Sequence, residues 1–398
     1  MSKHDSPESR AATRNKFLAV IAYTVRTVAL MFASGTLIQT LLGVMGFSSR
    51  MIYIHSTLLQ SSNILSIVLF SRMAKGSGKT VIRRAAFTAI PTGLLFLTYI
   101  PFLSNDQSSI KIFICLAAIA VIQQVFIGFY TVYEYKTPYF VYRSEEYGRM
   151  LALCGIISSV ASLLAGTAVS YLSAKYSYLH IMEMGFIISA LLMVIAFVSA
   201  FFQKDISGGE TLKQTPETSR LGEIIRYPAF YKLIPANLLR GFSMGALGVL
   251  AATALDMGYN ETLTATMVVI QSVASLASCA YLAVKPKNIS YGTTLLLASV
   301  LVATTPLLMI KGEYVFLGLY ALIIFGKTTV DYAVPSLLRQ IVPVDKAAPY
   351  NAWRMVLTNL GVTAATALAA VMSIPVLLIA TAACQLIAGI LYYIEAKN

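Results

Sequence analysis

Two arginines stand inside apolar stretches of this 398-residue chain. Phe17 to Phe47 reads FLAVIAYTVRTVALMFASGTLIQTLLGVMGF and holds Arg26; Phe230 to Tyr259 reads FYKLIPANLLRGFSMGALGVLAATALDMGY and holds Arg240 at nearly the same depth. A guanidinium offers a planar fork of donors that suits a carboxylate or a phosphate. In the middle of a membrane helix it costs from ~2.5 to more than 10 kcal/mol, so such a residue has a task. Aligning the two arginines pairs Tyr23 with Asn237, each one turn away on the same face. Lys327 and Asp331 lie four residues apart, a spacing that lets them pair along one helix face. Glu134 and Asp331 are acids low in their helices, candidates for carrying a coupling proton.

Each of these residues has a plainer reading. Arg26 and Arg240 either clamp an anion or pair with acids and carbonyls to hold helices together. Lys327 is a third cationic ligand, a charge released when a solute competes for Asp331, or half of a self-neutralised pair. Carrying over a shared Pro register, Tyr130 is the first-half counterpart of Lys327 and a candidate solute contact. Glu134 and Asp331 either carry protons or brace Arg149 and Arg354 at the starts of the following helices. His55 on the second span either titrates or packs. Gln123, Gln124, Asn63, Gln271, Asn359 and Gln385 either line a cavity or bond helix to helix.

These residues sit in a chain that is 57% hydrophobic and 12% charged. A soluble domain has about 25% charged residues, so a polytopic membrane protein is expected. Twelve apolar segments follow a polar tail at 1–16: 17–44, 51–71, 82–103, 110–134, 150–172, 179–202, 230–257, 263–284, 291–310, 314–337, 353–373 and 375–394. Each is near the ~20 residues that cross ~30 Å of hydrocarbon. With the N-terminus inside, the outside turns hold only Arg50, Lys111, Lys175 and Lys311, while the inside segments take most of the remaining lysines and arginines. That bias puts both termini in the cytoplasm. It also accounts for the net charge of +13 without nucleic acid, with anionic lipid as the counter-charge. Residues 1–16 lack the form of a cleavable signal. Cys115, Cys154, Cys279 and Cys384 fall in apolar segments and read as small core residues; no metal or cofactor is expected.

The longest polar interval, 203–229, divides a 17–202 bundle from a 230–394 bundle, with 395–398 as a short inside end. The halves echo each other three times. Arg26 answers Arg240. Glu134-Tyr135-x-x-Pro138 answers Asp331-Tyr332-x-x-Pro335. Tyr147-Gly148-Arg149-Met150 answers Ala352-Trp353-Arg354-Met355. Three echoes in one order imply a duplicated six-helix bundle, the arrangement of secondary transporters that alternate access around a midplane site.

With that plan the chain resembles the major facilitator superfamily over residues 17–394. The family signature G-x-x-x-D-R/K-x-G-R/K-R/K falls on SRMAKGSGKT, Ser71 to Thr80, where Gly78 and Lys79 fit. Lys75 stands where the family has its aspartate, so an inside latch would need other acids: Glu145, Glu146 or Asp345. KGSGKT also ends like a phosphate-binding loop, but Met73 replaces the first glycine and a membrane helix precedes it. The paired Arg26 and Arg240 resemble the helix 1 and helix 7 arginines that bind phosphate in organophosphate:phosphate antiporters. The resemblance implies an all-α fold of twelve transmembrane helices in two pseudo-symmetric bundles. It implies a secondary transporter, not an enzyme, moving a small organic solute; the antiporters' substrate does not carry over, and the buried cationic residues point to an anionic solute with a coupling proton or counter-anion. The place expected is the bacterial cytoplasmic membrane, as a monomer in the lipid bilayer. The alternatives are efflux of lipophilic compounds and a membrane sensor that transports nothing.

Overall fold

The computed structural model describes residues 7–33, 35–71, 78–103, 109–134, 137–142, 144–206, 226–286, 288–342 and 344–397. In chain order the helices are α1 (Pro7–Leu30), α2 (Thr36–Val44), α3 (Ser49–Ser71), α4 (Gly78–Phe87), α5 (Ala89–Tyr99), α6 (Ile110–Glu134), α7 (Thr137–Val141), α8 (Ser144–Ser173) and α9 (Tyr178–Phe201). After the interval around 203–229 come α10 (Pro228–Tyr231), α11 (Ile234–Gly248), α12 (Leu250–Asp256), α13 (Glu261–Val284), α14 (Tyr291–Val302), α15 (Glu313–Ile341), α16 (Val344–Ala369) and α17 (Ile374–Glu395). Every regular element among the described residues is helical. Hydrocarbon offers the backbone no water, so a spanning segment must satisfy its own N–H and C=O groups.

Among the described residues, nine helices are long and apolar enough to cross a membrane, ten if the bent α10–α12 segment is one span. Leu94, Leu164 and Leu191 are at least 60% exposed, as side chains facing lipid tails are. Within the polar tail at 1–16, α1 starts at Pro7 and runs unbroken into the apolar stretch. The expected single span 17–44 is corrected. It stops at Leu30 and resumes at Thr36 after Gly35, whose φ of 76° is one that side-chain-bearing residues rarely adopt.

Contacts divide the chain into two compact units. The first comprises Met1–Ser34, Ser62–Ala165 and Ser177–Pro216. In it α9 packs on α1, α4 and α5, while α6 packs on α4 and α5. Asn15, fully buried, donates to Val141 O and Lys204 O and accepts from Lys204 N–H, tying α1 to the end of α7 and to the segment after α9.

The second unit comprises Gly35–Ser61, Gly166–Tyr176 and Glu217–Asn398. Its centre is the seam of α11 against α16. A Cβ built on Gly361 would lie 2.1 Å from Leu238 O, and one on Gly241 would lie 2.0 Å from Thr358 O. These backbones touch because neither side chain intervenes, the device by which small residues bring membrane helices together.

The bend between α11 and α12 has a local cause. The two helices meet at 47°. In an unbroken helix Ala252 N–H would donate to Gly248 O, four residues back. Here the buried Gln39 amide of α2 takes both groups: Nε2 donates to Gly248 O at 2.6 Å and Oε1 accepts from Ala252 N–H at 3.4 Å. A side chain inserted into the helical ladder is a recognised origin of a sharp kink.

Candidate functional site

α11 carries Arg240 into the second unit with 5% of the residue exposed. Its Nη2 donates to Asp331 Oδ1 at 2.6 Å. The other carboxylate oxygen, Oδ2, accepts from Lys327 Nζ at 2.9 Å. Lys327 and Asp331 share a face of α15 because they are four residues apart, so one carboxylate joins a pair along α15 to a pair across to α11. The side chains of Lys327 and Asp331 are 25% and 24% exposed; that of Arg240 is 6% exposed. Two cations against one carboxylate leave the cluster net positive.

Arg240 still has donors to offer. Its Nε and Nη1 are buried with no hydrogen-bond partner among the described residues. Ser243, one turn on along α11, and Thr358, whose backbone abuts Gly241, also hold buried hydroxyl oxygens without such a partner. Unsatisfied buried polar atoms are few in native proteins, and each calls for an explanation such as a ligand. Asn237, fully buried, has structural bonds instead: its Nδ2 donates to Leu233 O at 2.8 Å, and its Oδ1 accepts from Tyr392 O–H at 2.8 Å.

In the first unit Arg26, 7% exposed, is placed differently. Its Cζ sits 3.1 Å from the centre of the Tyr130 ring of α6. Tyr130 is the residue that sequence symmetry sets opposite Lys327, and it contacts the counterpart arginine. One half therefore holds its arginine with a carboxylate and the other with an aromatic face, whose negative quadrupole attracts a cation. Tyr23, one turn before Arg26 and part-buried, accepts from Thr27 Oγ1 at its carbonyl.

The brace expected between Asp331 and Arg354 is not how Asp331 is used: its ion pairs go to Arg240 and Lys327. Arg354, 7% exposed on α16, lies near the phenols of Tyr350 and Tyr392. The side chains of Glu134, Glu145, Glu146, Arg149 and Asp345, and the basic turn at 72–77, lie outside the described residues. Several neutral polar residues bond helix to helix: Asn63 to Gln124 at 3.3 Å, Gln385 to Ser299 at 3.0 Å and Tyr320 to Gln271 at 3.5 Å. His55 is 1% exposed, and neither ring nitrogen has a hydrogen-bond partner among the described residues.

Sequence reasoning missed Ser243, Thr358, Tyr392 and the task of Gln39. Ser243 could have been found from its spacing to Arg240. Tyr392 lies 155 residues from Asn237, and no local pattern links them.

Helices long and apolar enough to cross a membrane, nine among the described residues, define an integral, multi-pass membrane protein. Residues 17–366 match the Major Facilitator Superfamily, and the chain belongs to that family. No curated protein sequence matches it. Among solved structures it is similar to a bacterial homologue of the iron transporter ferroportin in an inward-facing state, at 16% identity and a TM-score of 0.66, covering 98% of this chain and 99% of that one. It is similar to a D-xylose-proton symporter at 10% identity and a TM-score of 0.70, covering 96% and 97%. The human organic anion transporter MFSD10 resembles it at 14% identity and a TM-score of 0.63, covering 99% of each chain. At these identities the likeness is one of fold.

Proposed function

We propose that this transporter moves a small organic anion across the bacterial cytoplasmic membrane by alternating access. The observation that carries the reading is the state of Arg240: buried, bonded to Asp331 through Nη2 and close to the Tyr392 phenol, with Nε and Nη1 lacking hydrogen-bond partners among the described residues. Nε and Nη1 each suit a single oxygen of a carboxylate or phosphate, and a two-pronged edge opens once Nη2 leaves Asp331. Lys327 adds positive charge, and the Ser243 and Thr358 hydroxyls are suited to the solute's remaining polar atoms. Arg26 on Tyr130, with Tyr23 beside it, is the corresponding anion contact of its own unit. Glu134 remains a proton-carrier candidate under this proposal, and Arg149 and Arg354 remain bracing ones. The lysine and arginine bias supports both termini inside, the three sequence echoes support 17–202 and 230–394 as duplicated bundles linked by 203–229, and a monomer follows the family's habit.

A thermal-stability screen of the purified protein tests this. The candidates are phosphate esters, carboxylates, sugars, nucleosides and lipophilic cations, each tried on the parent, Arg240→Ala and Arg26→Ala. A ligand that binds only the folded state adds ~2.7 kcal/mol at a hundredfold excess over Kd. Stabilisation by an anion that Arg240→Ala loses, while that variant still folds, is the expected result. Stabilisation of parent and variants alike by lipophilic compounds alone would refute the anion reading and favour efflux.

A further inference from the structure

Asp331 sits as a bound ligand would sit: one oxygen on Arg240, the other on Lys327. We propose that Asp331 is a built-in stand-in for the solute's anionic group, and that Lys327 is the holder that lets it step aside. This rests on the anion reading of Arg240 given above.

The argument follows the charges. With no solute present, two cations lie in a low-dielectric setting, where an uncompensated charge is expensive. Asp331 sets one oxygen against each of them and cuts the net charge from two to one. The pair within α15 is set by the four-residue spacing and persists whatever α11 does. The pair to Arg240 crosses from one helix to another and is the one a solute can replace. An incoming carboxylate or phosphate takes the Arg240 edge, adding Nη2 to the Nε and Nη1 donors already on offer. Asp331 then stays on Lys327, so its charge is never bare. The partial exposure of Asp331 and Lys327, against the deep burial of Arg240, suits an exchange in which the carboxylate swings and the guanidinium stays.

Two consequences distinguish this from a purely structural ion cluster. First, in the empty site each cation already faces a carboxylate oxygen, so the carrier can return without a solute and transport is net, not obligatory exchange. Second, the two α15 partners act on affinity with opposite signs. Asp331 competes with the solute for Arg240, and Lys327 weakens that competition by holding Asp331.

The experiment uses the full chain in liposomes with labelled succinate and labelled glycerol 3-phosphate as probes. It compares net uptake into empty vesicles with exchange into preloaded ones, and adds binding measurements on purified protein. Parent protein is expected to show net uptake within tenfold of its exchange rate. Asp331→Asn is expected to bind the transported probe at least as tightly as parent and to keep exchange, while net uptake falls tenfold or more. Lys327→Gln is expected to weaken binding about tenfold, because Asp331 then stays on Arg240. Parent protein that moves the probe only by exchange would overturn the stand-in role, whatever the variants do. So would Asp331→Asn and Lys327→Gln weakening binding alike. If the parent neither binds nor exchanges either probe, the anion reading fails first and this inference falls with it.

Discussion

Replacing Gln39 with methionine tests whether an inserted side chain holds the bend between α11 and α12. Methionine fills similar space and removes the amide. Two backbone groups then lose their partner: Gly248 O, contacted at 2.6 Å, and Ala252 N–H, contacted at 3.4 Å. Leaving a buried donor or acceptor unsatisfied costs about 1–3 kcal/mol. The shorter contact carries most of that, since a bond at 3.4 Å is near the limit of useful geometry. The expected loss for Gln39→Met is therefore about 1–3 kcal/mol, a factor of roughly 5–150 in the folding equilibrium. The assay is thermal unfolding of purified protein followed by size-exclusion fluorescence, with midpoint falls of several degrees. Gln39→Glu keeps the size but turns a donor into a carboxylate oxygen facing Gly248 O, and is expected to lose more. If Gln39→Met unfolds within about 0.5 kcal/mol of the parent, the amide is dispensable. The reasoning would then be wrong, and the 47° bend would have another cause.

The tight seam of α11 and α16 gives a second prediction. Gly361→Ala would place a methyl 2.1 Å from Leu238 O and 2.8 Å from Phe242 N, both backbone atoms, so folded protein should be lost in a detergent extract. Gly318→Ala on α15 meets nothing within 4 Å and should fold normally, with a gain of up to about 1 kcal/mol from helix propensity. For the first-unit arginine, Tyr130→Phe should leave stability nearly unchanged because the ring remains, whereas Tyr130→Ala should lower it by about 0.5–2 kcal/mol, read by thermal unfolding. His55→Leu removes a buried ring that makes no hydrogen bond among the described residues. It should leave thermal stability and the pH profile of transport unchanged; a shifted profile would return His55 to the list of proton carriers.

The class and the bounds of most spans were legible in the residues alone. Composition required a membrane, and segment lengths placed most helices within a few residues: 110–134 was expected and α6 is Ile110–Glu134; 179–202 was expected and α9 is Tyr178–Phe201. Hydrophobic run length is a local property, so it can be read without knowing what packs where. The rarity of charge in such runs likewise singled out Arg26, Arg240, Lys327 and Asp331. The spacing on α15 also showed that the last two could pair.

What those charges do depended on how the helices pack. Asp331 reaches Arg240, 91 residues away, in place of the expected Arg354, because the choice between two arginines depends on where α11 and α16 lie beside α15. The halves echo in sequence, yet one arginine meets a carboxylate and the other a tyrosine ring, since a shared residue type does not fix its partner. The break in the seventh span was equally hidden. The bend is held by a glutamine 209 residues earlier in the chain, and a hydrogen bond between such distant residues leaves no periodic trace in either segment.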